Sequence, residues 1–183
     1  QTHGRIAHGS MPFLGDSAIR HMGAVMEEFE SKLYPAMAAR HSDMPVVPEG
    51  ARQSTMNINS IHGGQGEGFD GLPAPCVADS SRMIIDRRFL IEETLDDVKG
   101  EVKAILDGLA AQRHGFRYEM RDLFQVAPSM ADRDGPVAST TAAASDLNSG
   151  LGVLQVNIEL FGPYEQKAAF AIDCRKITDI IRQ

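Results

Sequence analysis

The chain has 183 residues, 43% of them hydrophobic and 23% charged, with a formal net charge of −7. That suits one globular domain, or a small domain with a piece of another. A net-negative chain without a Lys/Arg cluster gives no reason to expect nucleic acid as a partner, and no apolar run approaches the ~20 residues that a membrane-spanning helix requires.

No signal-peptide pattern opens the chain, and the two cysteines, Cys76 and Cys174, stand in no metal-binding or redox spacing. A cytoplasmic, reducing setting is therefore expected. Position 1 is Gln, and strand-like sequence begins almost at once, so a longer parent chain is expected.

The first element is the short strand in Arg5–Pro12, "RIAHGSMP", which runs into a Gly-Ser-Pro turn. His8 at that junction can be a catalytic group or an ordinary polar residue where a strand meets solvent. Asp16 then reads as an N-cap, and Ile19, Met22, Met26, Phe29 and Leu33 recur at steps of three and four. A long amphipathic helix follows from that spacing, tolerating Gly23 and bending at Pro35. "STMNINSI" alternates with the period of a half-buried strand. "HGGQGEGFDGLPAP" is not a dinucleotide loop, because Pro73 and Pro75 deny the helix that such a loop must open.

"SRMIIDRRFL" is the third strand. Thr94, with Asp97 in the capping-box position, starts a helix whose apolar face is Leu95, Val98, Val102, Ile105 and Leu109, and Gly115 stops it. "FRYEMRDLFQV" closes the unit, with Phe116, Tyr118 and Met120 on one face. The order βαββαβ predicts an α+β fold: a ferredoxin-like sandwich with a four-stranded antiparallel sheet, both helices on one face and a polar opposite face. Residues 131–183 hold a possible short helix from Pro136, the strand "VLQVNIELFGP" and a closing helix "KITDIIRQ". Such a set cannot bury its own core, so 1–130 and 131–183 are expected to be separate units, the second a fragment.

The ordered set "GRIAHGSMPFLGDSAI", "NINSIHGG" and "DRRFLIEET" resembles the lid, or dimerisation, domain of the dinuclear zinc amidohydrolases and metallopeptidases. Acetylornithine deacetylase and succinyl-diaminopimelate desuccinylase belong to that family. The resemblance spans residues 1–130 and makes 131–183 a remnant of the α/β catalytic domain. It implies hydrolysis of an N-acyl or peptide amide by two zinc ions, which activate a water and polarise the carbonyl. It implies that His8 reaches the partner subunit's active site and stabilises the carbonyl oxyanion. Arg88 would pair with a substrate carboxylate, a task suited to a planar fork of donors; from the residues alone it can equally be a surface cross-strand ion pair. A family asparagine that often contacts substrate is matched here by Pro75, which puts that contact in doubt.

The family's zinc ligands have no counterpart in this reading. His41-Ser42-Asp43 has the His-x-Asp spacing but lies inside the lid, and Glu27-Glu28 and Glu92-Glu93 read as solvated or capping charges. Where the family's last segment carries a zinc-binding His and then a Glu, this chain has Phe170 and Cys174. The expectations are a homodimer through the lid, no zinc and no hydrolysis by this chain alone, and a small N-acyl amino acid or peptide as substrate of the whole enzyme. The alternatives are a free-standing dimerisation module and a ferredoxin-like domain that binds a metabolite. The family reading and the free-standing module separate on whether sequence upstream of Gln1 encodes the His-x-Asp and Glu-Glu motifs.

Overall fold

The protein is described from a computed structural model, which places residues 5–43, 49–64, 71, 74–128 and 152–160. Four strands, β1 (Thr55–Gly63), β2 (Ser81–Phe89), β3 (Glu119–Val126) and β4 (Gly152–Leu160), form one antiparallel sheet in the order β1-β2-β4-β3. Helices α1 (Ala18–Glu28), α2 (Tyr34–Ala38) and α3 (Leu95–Gln112) supply the residues that cover one face. This is the expected α+β ferredoxin-like arrangement, with one difference in its parts. Residues 5–8 make only isolated bridges, Arg5 to Asp16 and His8 to Cys76, and the sheet position next to β2 is filled by β4.

Alternation dictates the layers. Met83, Ile85, Arg87 and Phe89 of β2 and Leu154, Val156 and Ile158 of β4 point towards the helices, and all are 0–1% exposed. They meet Met22, Val25, Phe29 and Leu33 from the first helical run and Val98, Val102, Leu106 and Leu109 from α3. The opposite face carries the polar side chains of Asn57, Asp86, Arg88, Gln155 and Asn157, of which Asn57 is exposed and Asp86 and Asn157 are buried.

The first helical run differs from its expected pattern in two ways. Ser17, extended at φ −86° and ψ 112°, is the cap, and its side chain accepts from Arg20 N at 3.3 Å. Asp16 is instead drawn into longer-range contacts: its backbone exchanges hydrogen bonds with Arg5, and its Oδ1 lies 2.8 Å from His21 Nε2. The run also passes through a π-helical turn, Phe29–Leu33, before α2, where Pro35 occupies the first turn. Pro35 has no N–H to donate, and a widened turn ahead of it accommodates that loss. The buried stripe is Ala18, Met22, Val25, Phe29, Leu33 and Met37, so Ile19 (49% exposed) and Met26 (37%) face outward.

The second helix matches its sequence closely. Thr94 Oγ1 accepts from Asp97 N at 3.1 Å, and Gly115, at φ +80°, takes the left-handed conformation beyond the helix end. The helix from Pro136, the closing helix, Phe170 and Cys174 lie outside the described residues. Among the described residues no helix is long and apolar enough to cross a membrane.

Candidate functional site

His8 stands in a loop that is fastened through its backbone. Gly9 N donates to Pro75 O, Val77 N donates to Ala7 O at 2.7 Å, and Met11 N donates to His8 O at 2.8 Å. Gly9 suits the close approach: a Cβ there would stand 3.0 Å from the Pro75 carbonyl oxygen, which would have to shift. Pro75, which departs from the family's asparagine, therefore serves as a docking point for the His8 loop.

The ring itself is oriented by Ser10. Ser10 N donates to His8 Nδ1 at 3.2 Å, and Ser10 Oγ lies 2.7 Å from the same nitrogen. A backbone N–H can only donate, so Nδ1 is the acceptor and the proton of the neutral ring sits on Nε2. His8 is half-buried, so it offers a solvent-reachable N–H donor on a fixed loop. That is the chemistry required to stabilise an oxyanion.

Arg88 lies at the other end of β2, where it pairs with Thr55 of β1 and Val153 of β4. Its Nε is 2.8 Å from Asp86 Oδ1 and its Nη2 is 3.2 Å from Asp86 Oδ2, so one edge of the guanidinium is held in a two-point ion pair. Gln155 Nε2 also donates to Asp86 Oδ2, at 3.1 Å. The partner is thus a same-face neighbour two residues back rather than a cross-strand charge, because residues i and i+2 of a strand share a face. Beside this cluster on β1, Asn57 Nδ2 donates to Asn59 Oδ1 at 2.7 Å.

His8 and Arg88 are not brought together. His8 bridges to Cys76 beyond the Ser81 end of β2, whereas Arg88 is near the Phe89 end. Ser81 and Arg88 alone are separated by roughly 23 Å at ~3.3 Å per strand residue.

Beneath Arg88 lies a buried ionic network that the sequence reading missed. Arg87 is 0% exposed; its Nη1 donates to the carbonyl of Arg88, and its Nη2 is 3.0 Å from Glu93 Oε1. Glu93 also receives Arg40 Nη1 at 2.8 Å, Leu90 N at 2.7 Å and the Ser54 hydroxyl, and Arg40 pairs further with Glu101. Glu93 is therefore neither a solvated charge nor a simple cap. Burial alone would raise its pKa, but hydrogen bonds from Ser54, Leu90 and Arg40 and the charge of Arg87 hold it below the usual carboxyl value. Burial lowers the Arg87 pKa against the pull of the same carboxylates, whereas Glu93 raises that of Arg40. One signal was present in the sequence: Arg87 is in phase with Met83, Ile85 and Phe89, on the core side of an alternating strand.

The other motifs have ordinary structural partners. His41 Nε2 lies 2.7 Å from Gln53 Nε2, Ser42 Oγ donates to Glu92 at 2.7 Å, and Glu28 pairs with Lys32 one turn on. Among the described residues no group of three or more His, Cys, Asp or Glu side chains could hold a metal ion.

The edge strand β1 and the outward side of α1 form a distinct surface. Ile19 packs beside Gly63, where a Cβ would stand 2.8 Å from Ile19 Cγ1. Ile19, Met26 and Ile61 (50% exposed) all face outward, and Phe13 in the His8 loop is 77% exposed.

The family model described as the peptidase dimerisation domain matches residues 1–114. No curated protein matches the chain.

Proposed function

We propose, for a chain that belongs to the peptidase dimerisation-domain family, that it is the lid and dimerisation part of a zinc-dependent amidohydrolase of the deacetylase and desuccinylase kind. Its substrate would be an N-acyl amino acid or peptide that carries a carboxylate. The observation that carries the reading is the His8 loop: Nδ1 is occupied by Ser10, which leaves Nε2–H as an oriented donor. The separation of His8 from Arg88 along β2 also supports it, since the two can serve one substrate only when they come from different subunits.

Pairing two copies would solve a physical problem of the isolated sheet. Among the described residues β1 is an edge strand, and Ile19, Met26 and Ile61 lie exposed. A two-fold contact of β1 and α1 with their symmetry mates would cover both.

Arg88 would meet a substrate carboxylate with the part of its guanidinium that Asp86 leaves open. Among the described residues no group of His, Cys, Asp and Glu side chains fits a zinc site; His8 would supply a carbonyl donor, Arg88 a carboxylate partner, and β1 with α1 a dimer surface.

The test is a calorimetric titration of zinc into the purified chain, with an assay of N-acyl amino acid hydrolysis on the same sample. The expected result is neither tight stoichiometric zinc binding nor turnover. Two zinc ions bound per chain together with amide hydrolysis would overturn the reading of this chain as a lid without a catalytic centre.

A further inference from the structure

A cleft of about 570 Å³ lies between the start of α1, the residues just beyond α3 and residues 76–78. It adjoins the His8 loop, because Cys76 bridges to His8 and Val77 N donates to Ala7 O. Its volume falls within the roughly 300–1,000 Å³ usual for small-molecule sites.

The lining is of two kinds. Pro12, Val77 and Ala78 supply an apolar wall, whereas Arg20 from the first turn of α1 and Arg113 and His114 from the end of α3 supply polar donors. Two guanidinium groups face a single carboxylate, Asp16, so the cleft is locally positive although the whole chain carries −7. The positive end of the α1 dipole acts in the same sense.

Asp16 does not neutralise either arginine. Its Oδ1 lies 2.8 Å from His21 Nε2, and a Cβ on Gly115 would collide with its Oδ2, so the carboxylate is wedged between that ring and the turn after α3. Arg113 uses its Nε, which donates to His21 Nδ1 at 3.4 Å, and both of its Nη groups are left over. The exposed Arg20 side chain has no ion pair among the described residues.

His21 is a separate pointer to a ligand. It lines the cleft and is only 6% exposed. A guanidinium can only donate, so Nδ1 is the acceptor and the proton of the neutral ring sits on Nε2. Asp16 Oδ1 is close to Nε2 but out of line for a hydrogen bond, which leaves a buried donor unsatisfied. Buried donors normally have an acceptor.

We infer that this cleft is a binding site for a small organic anion, a carboxylate carried on a short aliphatic body. Arg20 and Arg113 would take the carboxylate with their planar forks of donors, and the aliphatic body would rest on Pro12, Val77 and Ala78. The single positive charge that remains after Asp16 is counted matches a monoanion better than a phosphate dianion. The site does not depend on the hydrolase reading, since neither His8 nor Arg88 lines the cleft.

The test is an NMR titration of the full nitrogen-15-labelled chain with isovalerate, with its neutral isostere isovaleramide and with inorganic phosphate. Isovalerate should give saturable shifts at the Arg20 and Arg113 Nε–H signals, with a Kd on the order of 1 mM. Isovaleramide and phosphate should each bind at least about fivefold more weakly. Arg20→Gln should weaken isovalerate about tenfold, whereas Arg117→Gln, exposed and outside the cleft, should leave it unchanged. Thermal denaturation checks that both variants keep the parent fold. Equal binding of the amide, binding of phosphate as tight as that of isovalerate, or a folded Arg20→Gln chain with parental affinity would each overturn the site. The ligand comparison needs no variant, so it decides the matter even when a substituted chain misfolds.

Discussion

The His8 end and the Arg88 end of β2 are held by opposite strategies. His8 sits on a loop pinned by backbone bonds to Pro75 and Val77 and oriented by a neighbouring serine, with its ring partly open to solvent. Arg88 sits on a central strand whose next residue inward, Arg87, is locked in a buried network from β2, α3, the end of the first helical run and Ser54. A loop can present a donor to something outside the chain, whereas a network fixes where a strand side chain points. Damage at the first end should therefore alter presentation, and damage at the second should alter stability.

The largest effect is expected from Arg87→Ala. It strands Glu93 and Glu101 without their buried cation, and loss of one member of such a group costs about 3–5 kcal/mol. Urea unfolding measures this, and a change as small as that of a surface residue would break the contrast.

Acid unfolding comes next. The Glu93 pKa is lower in the folded chain than in the unfolded one, so its contribution is present above the ordinary carboxyl pKa and is lost as pH falls through the folded value. Glu93→Gln should flatten the acid side of a stability–pH curve measured by urea midpoints. An unchanged acid limb would show that the network does not titrate as described.

At the other end, Gly9→Ala pushes a Cβ towards the Pro75 carbonyl and should cost on the order of 1 kcal/mol by crowding. Thermal denaturation checks this. The smallest effect is expected for His8→Ala, which should stay within about 0.5 kcal/mol of the parent because the loop is held by backbone. In the parent chain, nitrogen-15 shifts should show the neutral form of the His8 ring carrying its proton on Nε2; a proton on Nδ1 would undo the orientation by Ser10.

What could be read from the sequence was whatever depends on near neighbours. Thr94, Asp97 and Gly115 bracket α3 within a few residues of its ends, and their roles matched the structure. Asp16 was displaced from its cap because contacts with Arg5 and His21, set by folding, claimed it first. Ala18 and Ile19 are both apolar, so spacing alone could not choose which started the buried stripe; tertiary packing chose Ala18. The place of β4 between β2 and β3 was invisible for a stronger reason: alternation identifies a strand but not its partners. The Arg87 network was overlooked because charged residues are usually exposed, although Arg87 keeps the core phase of its strand. Of the two candidate residues, the placing of Arg88 on a strand was legible in the alternation, but its separation from His8 and the partners that hold each side chain were not.

The proposed state of the chain is one half of a two-fold pair that joins through β1 and the outward side of α1. Sedimentation equilibrium at tens of micromolar chain tests that directly. The predicted result is a single species of twice the 19.9 kDa chain mass, reduced to single chains when Ile19 and Met26 are both changed to Asp. A parent chain that sediments at 19.9 kDa throughout that concentration range would contradict it.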